Sequence, residues 1–299
     1  MQLEQQGFRE ITLLGQNVNS YDDEGADFSD LLAACARAVP SVRIRYTTSH
    51  PQDFDQKLID TMASHDNICK YIHLPIQSGS DRILKLMNRT YTRAHYMGII
   101  EKIKRAMPNA AMSTDIIVGF CTETLDDHEE TKQVMRDVEY EGAYMFNYSP
   151  RPNTKAYDTL ADDVSLGEKT RRLNEIITLQ NEVSARKNLL EVGNEHTVLV
   201  EGRSKKNESE WKGRTDTNKT VIFPRLDAEV GEYRRIRVTH STAATLFGKL
   251  MDQKKLKEGT AHTDRGEVVF DTVPHVASTA SFITESSQGI GLTLPVINS

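Results

Sequence analysis

Strands that end in small polar residues alternate with helical stretches through the first half of this chain of 299 residues. Five segments run from apolar sequence into polar or glycine-containing sequence: REITLLGQNVNS, VRIRYTTSHP, YIHLPIQSGS, AAMSTDIIVGFCTET and GAYMFNYSPRP. Apolar residues have helical spacing in the stretches between them, residues 30–39, 56–64, 81–87 with 93–107, and 125–139. Parallel βαβ units show this order, and strands buried on both faces read as near-continuous apolar runs. The pattern therefore predicts an α/β fold whose ligands bind at the carboxyl ends of the strands.

The second half changes character after a long charged helix, which the apolar spacing predicts over residues 165–191. Gly193 ends that helix, and short alternating strands with Gly and Asn turns follow, which predicts a small all-β barrel. The remaining sequence is rich in Ser and Thr, which favours a weakly structured tail. We therefore expect three parts, residues 1–192, 193–257 and 258–299.

Charge is unevenly distributed between these parts. The whole chain has a net charge of -6, but residues 194–257 contain 14 Lys and Arg against 9 Asp and Glu. A basic module on an acidic body suggests a polyanionic partner, although an ordinary solvated surface explains the charge equally well. No apolar run is long enough to cross a bilayer, and the first residues lack the order of a signal peptide. We expect a cytoplasmic protein, monomeric and without a membrane partner.

Metal-binding patterns are absent from the sequence. Cys35, Cys69 and Cys121 form no CxxC motif, so they are interpreted as buried or half-buried thiols in a reducing compartment. His50 and His73 each lack a second ligand at metal spacing, and hydrogen-bonded histidines are more common than histidine ligands. No metal site is predicted.

Five motifs occur in a fixed order: LLGQNVNSY, TSHP, HLPIQSGSDRILKLMNRTYT, STDIIVGFCTET and YMFNYSPRPNTKA. In this order they resemble the radical S-adenosylmethionine (SAM) methylthiotransferases of the MiaB type, and the basic β segment is similar to a TRAM RNA-binding domain. The resemblance covers about residues 4–250. It implies a partial (βα) radical SAM barrel of TIM-like form, followed by a small TRAM barrel.

The function that the resemblance implies is transfer of a methylthio group to an isopentenylated adenosine next to the anticodon of tRNA. Its cofactors would be SAM and 4Fe-4S clusters, with tRNA as the partner. In such enzymes a reduced cluster cleaves SAM to a 5′-deoxyadenosyl radical, which takes hydrogen from an inert adenine carbon. Two alternatives remain open: an RNA-binding protein with a non-catalytic barrel, or a sibling methylthiotransferase acting on another tRNA base or a ribosomal protein.

This sequence departs from the family pattern in one important respect. The cluster-binding CxxxCxxC motif of the family would precede the first residues, so the cluster ligands are absent from this chain. We therefore expect a carboxyl-terminal portion that begins in the helix before the second barrel strand and is inactive alone. Cys121 also stands where many relatives carry proline.

The resemblance implies cofactor contacts at the carboxyl ends of the strands, without identifying a catalytic residue. Amide oxygens at Gln16 and Asn17 can accept from the methionine ammonium group, and Gln77 with Ser78 offers donors and acceptors to ribose hydroxyls. Asp115 is expected to point into the barrel mouth, because a carboxylate in an apolar strand is costly unless paired. The full set is Gln16, Asn17, Ser49, Gln77, Ser78, Arg89, Asp115, Ile117 and Gly119.

Simpler structural roles explain part of this set. Polar turns follow many strands, and Ser78 or Ser80 is placed to cap the helix that begins at Asp81. We assign the cap to Ser80 and a ligand contact to Gln77. Arg89 is a candidate partner for Asp115 or for the cofactor carboxylate, or an ordinary solvated arginine. Glu123 fits a helix start as well as a ligand contact.

Cations and aromatic residues are mixed in the basic module, a combination that binds phosphates and stacks on unpaired bases. Phe223 and Phe247 are expected to fill the barrel core, and Trp211, between charged residues, is expected to be exposed. The predicted RNA-binding residues are Lys205, Lys206, Trp211, Lys212, Arg214, Arg234 and Arg235.

Overall fold

The computed structural model describes residues 1–47 and 49–251, together with the backbone of residues 279–283. Its helices are α1 (Gln2–Gln5), α2 (Phe28–Ala38), α3 (Gln56–Ser64), α4 (Asp81–Leu86), α5 (Arg93–Ala106), α6 (Leu125–Val138), α7 (Lys155–Thr159) and α8 (Leu166–Leu190). The strands of the first part are β1 (Glu10–Leu14), β2 (Asp22–Asp23), β3 (Ala26–Asp27), β4 (Arg43–Tyr46), β5 (Tyr71–His73), β6 (Ala111–Val118) and β7 (Gly142–Asn147). Later strands are β8 (Glu195–Arg203), β9 (Glu210–Arg214), β10 (Thr220–Pro224), β11 (Tyr233–Ser241), β12 (Leu246–Leu250) and β13 (Thr279–Ile283).

The parallel strands of the first part form one curved sheet. β1 pairs with β4, and β5, β6 and β7 pair in that order, all in parallel. A parallel bridge between Ile44 and Ile68 joins the two groups. Residues from β1 and from β7 line the same cavity of about 380 Å³, so the sheet bends until its two ends face each other. The predicted α/β partial barrel is confirmed.

Helices cover the outside of this sheet, and buried apolar residues alternate with more exposed residues along its strands. On β6, Ile116 and Val118 are at most 1% exposed and belong to the main apolar core, whereas Asp115 and Ile117 are partly exposed on the concave face. On β7, Tyr144 and Phe146 are 59% and 52% exposed. Successive residues of a strand point to opposite faces, so these four side chains line the inside of the barrel.

The second part is a closed five-stranded barrel with the strand order β10-β12-β11-β8-β9, as the short alternating strands predicted. Its core includes Val198, Val221, Phe223 and Ile236, each at most 1% exposed. The predicted boundary at residues 192–193 lies between the end of α8 and the start of β8. We call β8–β12 the small barrel.

Two arginines fix the small barrel at the amino-terminal end of the curved sheet. Arg43 on β4 donates to the carbonyl oxygens of Arg214 (2.9 Å) and Thr197 (2.6 Å). Arg45, two residues further along the strand, donates to the carbonyl oxygens of Asp216 (2.9 Å) and Thr215 (2.6 Å). Since both arginines are at most 9% exposed, the turn after β9 is held against the barrel floor by desolvated hydrogen bonds.

The predicted tail falls mostly outside the described residues, at 252–278 and 284–299. Within it, β13 pairs in parallel with the free edge of β1, from Glu10 opposite Thr279 to Leu14 opposite Ile283. The sequence analysis did not predict this strand.

Candidate functional site

Polar residues from several strands meet at the carboxyl end of the curved sheet. Asn17, three residues after β1, donates through Nδ2 to Asp53 Oδ2 at 2.7 Å, which connects the segments that follow β1 and β4. Gln16 is exposed beside it, and Ser49 is buried after β4. The segments that the sequence placed at this edge therefore do meet there.

Gln77 extends the sheet at the same edge. Its backbone N–H donates to the Asp115 carbonyl at 2.8 Å, and its carbonyl accepts from Ile117 N–H at 2.9 Å. The φ of Gln77 is 72°, a left-handed conformation that costs energy for a residue with a side chain. The backbones of Gln77 and Asp115 are thus joined at this edge, and the strained turn directs the chain out of the sheet toward α4.

Asp115 has a partner that the sequence analysis did not assign to it. Its Oδ1 lies 3.4 Å from His73 Nε2 on the concave face, and His73 Nδ1 lies 2.9 Å from Ser113 Oγ. Tyr71 donates its hydroxyl to the same Ser113 oxygen at 2.7 Å. Asp115 therefore lies beside a hydrogen-bonded group on β5 and β6, and among the described residues the ion-pair contact of Asp115 is with His73 and not with Arg89.

Arg89 lies close to His50 and Tyr91. Burial lowers the pKa of His50, and the positive charge of Arg89 lowers it further, against an opposing effect of Asp53. Burial raises the pKa of Tyr91 to about 12, with Arg89 lowering it and Asp115 raising it. The rings of His50 and Tyr91 pack edge to face with centroids 5.4 Å apart. Arg89 is thus part of the same polar edge and is not an isolated surface arginine.

Several polar atoms at this edge are buried without a hydrogen-bond partner among the described residues. They are Asn17 Oδ1, Ser49 Oγ and Arg89 Nε, with Asn147 Oδ1 at the end of β7. Buried polar groups in proteins are nearly always hydrogen-bonded, so each orphan atom calls for a ligand or water. Two acceptors, one hydroxyl and one cationic donor suit a ligand that carries both an ammonium and a carboxylate. The sequence analysis did not name Asn147, although this residue has the signal used for the others, a polar side chain at the carboxyl end of a strand.

Ser78 does not face this edge. It is fully buried, lies with Oγ 3.4 Å from Thr131 Oγ1 of α6, and accepts a hydrogen bond from Ser80 N–H. The adjacent Gly79 packs so closely on α6 that a Cβ would lie 2.5 Å from the Glu130 carbonyl oxygen. The predicted contact between Ser78 and a ribose is therefore corrected: this part of the PIQSGS segment joins the sheet to α6.

Ser80 also has a different role from the predicted one. It stands at the N-cap of α4 but makes no side-chain cap hydrogen bond. Its hydroxyl instead donates to Asp127 Oδ1 of α6 at 2.6 Å, and Asp127 also accepts from Thr124 N–H at 2.8 Å and pairs with Arg82. The first turns of α4 and α6 are thereby held together.

Gly119 is needed for packing inside the loop that follows β6. Its φ is 68°, and a Cβ there would lie 2.3 Å from Cγ of Lys169 on α8. Its N–H donates to Glu123 Oε1 at 2.8 Å, and Arg172 donates to the same oxygen at 2.7 Å. The side chain that packs closely on the Gly119 backbone is thus Lys169 and not the predicted cofactor. Glu123 stabilises the loop by accepting the Gly119 hydrogen bond. Ile117 remains available on the concave face.

In the small barrel, the prediction for Trp211 is wrong. Trp211 is 6% exposed, donates through Nε1 to the Ala228 carbonyl at 2.8 Å, and is covered by the Arg225 guanidinium at 4.4 Å. Phe223 is in the core as predicted, at 1% exposed, but Phe247 is only partly buried. Strand β9 points Trp211 inward because alternate residues of a barrel strand face the core.

The predicted basic residues fall into three environments. Lys205 and Lys206 are exposed after β8, as expected for phosphate contacts. Arg234 is 4% exposed and pairs with Asp227 and Glu232, each at 3.1 Å, so its predicted contact with RNA is corrected to a structural role. The remaining three pair with glutamates at the surface, Lys212 and Arg214 with Glu201 and Arg235 with Glu195.

Metal ligands do not assemble in the described part of the chain. No three His, Cys, Asp or Glu side chains among residues 1–47 and 49–251 come together as a metal site. Cys69 and Cys121 are buried and Cys35 is partly buried, all as free thiols. The residues that the structure describes therefore do not fit an iron–sulfur cluster. In the same residues, no helix is both long and apolar enough to cross a membrane.

Comparison with known proteins gives two family matches and many relatives. Residues 1–135 match the radical SAM superfamily, and residues 189–251 match the TRAM domain. The tRNA-2-methylthio-N(6)-dimethylallyladenosine synthase of Chloroherpeton thalassium is 48% identical over 252 residues, 84% of this chain and 56% of the relative. The synthase of the same name from Chlorobium phaeobacteroides is 52% identical over 244 residues, 81% of this chain and 55% of the relative. The chain thus spans about half the length of the curated relatives it matches.

A solved structure, coproporphyrinogen III oxidase from Escherichia coli, which is a radical SAM enzyme, aligns with a TM-score of 0.42 and 9% identity. The alignment covers 77% of this chain and 67% of that chain. A similarity this low supports no inference.

Proposed function

The chain is a radical SAM protein with a TRAM domain and a relative of the tRNA-2-methylthio-N(6)-dimethylallyladenosine synthases, and we propose that it provides the SAM-binding and tRNA-binding parts of such a methylthiotransferase. Its substrate would be an isopentenylated adenosine in tRNA. The observation that carries the proposal is the polar edge of the curved sheet, where buried polar atoms of Asn17, Ser49, Arg89 and Asn147 have no hydrogen-bond partner among the described residues.

The residues at this edge match the groups of SAM in kind. Asn17 Oδ1 supplies an acceptor for an ammonium group, and Arg89 supplies a donor for a carboxylate. The amide of Gln77, which is 8% exposed, offers both a donor and an acceptor to hydroxyl groups. Ile117 offers an apolar surface for an adenine ring. When bound, SAM supplies the radical chemistry that activates an inert C–H bond, and the protein supplies its binding and orientation.

The chain's own residues would also keep the lumen of the barrel closed at its lower end. Arg43 and Arg45 hold the small barrel against the amino-terminal ends of the strands. Substrate would then enter only from the carboxyl edge, which suits a nucleotide flipped out of an RNA loop. A reaction that passes through radical species benefits from such an enclosure, because water and other reactants are kept away.

Binding of tRNA is proposed for the small barrel. Lys205 and Lys206 are exposed, and 14 basic against 9 acidic residues occupy positions 194–257. Phosphate contacts of this kind give affinity that falls as salt rises, because binding releases counterions. The described residues offer no ligand set for an iron–sulfur cluster, so no step of the reaction is assigned to one.

The experiment that tests this proposal is calorimetric titration of the full chain with SAM and with S-adenosylhomocysteine. Asn17→Ala and Arg89→Met should each weaken binding about 10- to 100-fold, as expected for loss of hydrogen bonds to charged groups. Asp158→Ala, at an exposed position in α7, is the control and should bind like the wild-type chain. Equal affinity for all three variants would place the ligand elsewhere.

The second candidate function is that of an RNA-binding protein with a non-catalytic barrel, and the same titration distinguishes it from the methylthiotransferase proposal. In that case the full chain would bind RNA with strong salt dependence but show no heat of binding with either SAM compound. The observation favouring this alternative is the pair of exposed lysines, Lys205 and Lys206, on the small barrel.

A further inference from the structure

The outer face of the small barrel has a basic strip on two neighbouring strands. On β11, Arg235 and Arg237 point outward and are 63% and 45% exposed, while Arg234 and Ile236 point into the barrel. Lys249 of β12 stands directly opposite Arg237 and is also exposed. Three cations therefore share one surface, with Glu195 the acidic residue that pairs with both arginines.

Two aromatic rings lie further along the same strands. His240 on β11 and Phe247 on β12 are cross-strand partners, and their rings are stacked with centroids 4.4 Å apart and planes 5° from parallel. The register shifts between Val238 and His240, which turns His240 to the outer side. His240 is exposed and Phe247 is partly buried beneath it, so one face of the histidine ring remains open.

Parallel rings at this spacing form a flat support of the kind on which nucleic acid bases stack. Base–aromatic stacking is tolerant of sequence, and cations beside the ring bind the neighbouring phosphates. The ion pair of Arg237 with Glu195 is solvent-exposed, so it holds the Arg237 side chain weakly and leaves it able to turn to a phosphate. An acidic protein partner would use the cations but gain little from an open ring beside them.

We propose that His240, supported by Phe247, is a stacking site for an unpaired base of an RNA whose phosphates are bound by Arg237 and Lys249. The site rests on the proposed function, since it specifies how the small barrel binds RNA. The stacking role that the sequence analysis gave to Trp211 falls to His240 instead, because Trp211 is buried. The ligand class is single-stranded RNA, such as a loop, and a duplex would use the cations alone.

The test is fluorescence anisotropy with the full chain and two labelled RNAs, a short single strand and a blunt duplex, at salt concentrations between about 50 and 200 mM. His240→Ala should weaken binding of the single strand roughly 5- to 100-fold with an unchanged salt slope, and should leave the duplex unaffected. Arg237→Ala should weaken both RNAs and reduce the slope by about one. His240→Phe should restore the affinity for the single strand, because it keeps a ring.

His95→Ala is the matched control, because His95 is an exposed histidine on α5 of the curved-sheet domain. The proposal is overturned if His240→Ala binds the single strand as tightly as His95→Ala does. It is also overturned if His240→Phe fails to rescue binding while the variant remains folded by circular dichroism. Absence of any RNA binding by the wild-type chain would refute the RNA-binding function itself, and the stacking site with it.

Discussion

The buried pair of Arg172 and Glu123 should be among the most sensitive points of the fold. Their side chains are 5% and 1% exposed, with Nη1 and Oε1 2.7 Å apart. Arg172 also donates to the Glu123 carbonyl at 2.9 Å, and Glu123 accepts from Gly119 N–H at 2.8 Å. Substitution Arg172→Met would leave a carboxylate buried without its counter-charge, a change that costs about 3–5 kcal/mol. The loss should appear in the free energy of unfolding at neutral pH.

The loss of stability in Arg172→Met should depend on pH. Burial raises the pKa of Glu123 even with Arg172 present, and removing the arginine must raise that pKa further. A carboxyl whose pKa is raised on folding contributes stability below its unfolded pKa and loses it as pH rises through the folded value. The deficit of Arg172→Met should therefore be largest near pH 7 and shrink as the pH falls toward the ordinary glutamate pKa.

The assay is urea denaturation followed by circular dichroism at the helical minimum, which reports on the curved-sheet domain because the small barrel contains only strands. Arg171→Met is the matched control, since Arg171 is the next residue on α8 but is 46% exposed and pairs with surface glutamates. That variant should unfold nearly like the wild-type chain. Equal losses for the two variants, or a deficit for Arg172→Met that is the same at pH 7 and pH 5, would refute the reasoning.

Three further substitutions test other contacts. Burial raises the pKa of Asp127, but hydrogen bonds from Arg82, Ser80 and Thr124 outweigh burial and hold that pKa well below its usual range. The ionised carboxylate therefore contributes stability above the unfolded pKa, and this stability is lost in acid. Asp127→Asn should lower the melting temperature at pH 7 and flatten the decline of the melting temperature below about pH 4. Gly119→Ala should cost about 1–3 kcal/mol in urea denaturation, because its Cβ would meet Lys169 at 2.3 Å, whereas Gly98→Ala, in a helix with open space around it, should be neutral or stabilising. Arg45→Ala should lower the free energy of unfolding by about 3–5 kcal/mol, because Glu10, whose carboxylate lies 2.8 Å from the Arg45 guanidinium, would stay buried without that partner. Limited proteolysis between α8 and β8 should also become faster. Unchanged cleavage would show that the small barrel is held by other contacts.

Periodicity was sufficient to predict the alternation of β1, β4, β5, β6 and β7 with the main helices, but not the short strands β2 and β3, helix α7 or β13. The predicted helix at residues 125–139 is observed as Leu125–Val138, and the one at 165–191 as Leu166–Leu190. Apolar runs that end in polar residues mark the carboxyl ends of parallel strands, and the end of a strand is a local property of the sequence. The backbone contact between Gln77 and Asp115 agrees with that property and with the parallel arrangement.

Alternation along the strands of the small barrel predicts the buried positions of Trp211 and Arg234, which the sequence analysis placed at the surface. Trp211 alternates with Gly213, and Arg234 alternates with Ile236 and Val238, so period-two spacing already places both residues on the core side of their strands. The charged neighbours of Trp211 favour exposure, but the alternation along β9 determines where the side chain lies. Arg234 is tolerated inside because Asp227 and Glu232 neutralise it.

Other contacts had no local signal at all. Gly119 is packed by Lys169, 50 positions later, and Arg43 reaches carbonyl oxygens of Thr197 and Arg214 on the small barrel. Such partners are set by the way separate elements pack, and neither composition nor spacing near the residue specifies them. The pairing of Asp115 with His73 is of the same kind.

The most direct test of the proposed function is the product formed when this chain is joined to the part of the Chloroherpeton thalassium relative that it does not match. The fusion would be expressed in a host that lacks its own methylthiotransferase, and the tRNA nucleosides measured by mass spectrometry. We predict 2-methylthio-N6-dimethylallyladenosine with the wild-type chain and with Asp158→Ala, and its loss with Arg89→Met. A folded fusion that carries its clusters but leaves the isopentenylated adenosine unmodified, while the intact relative modifies it, would contradict the account.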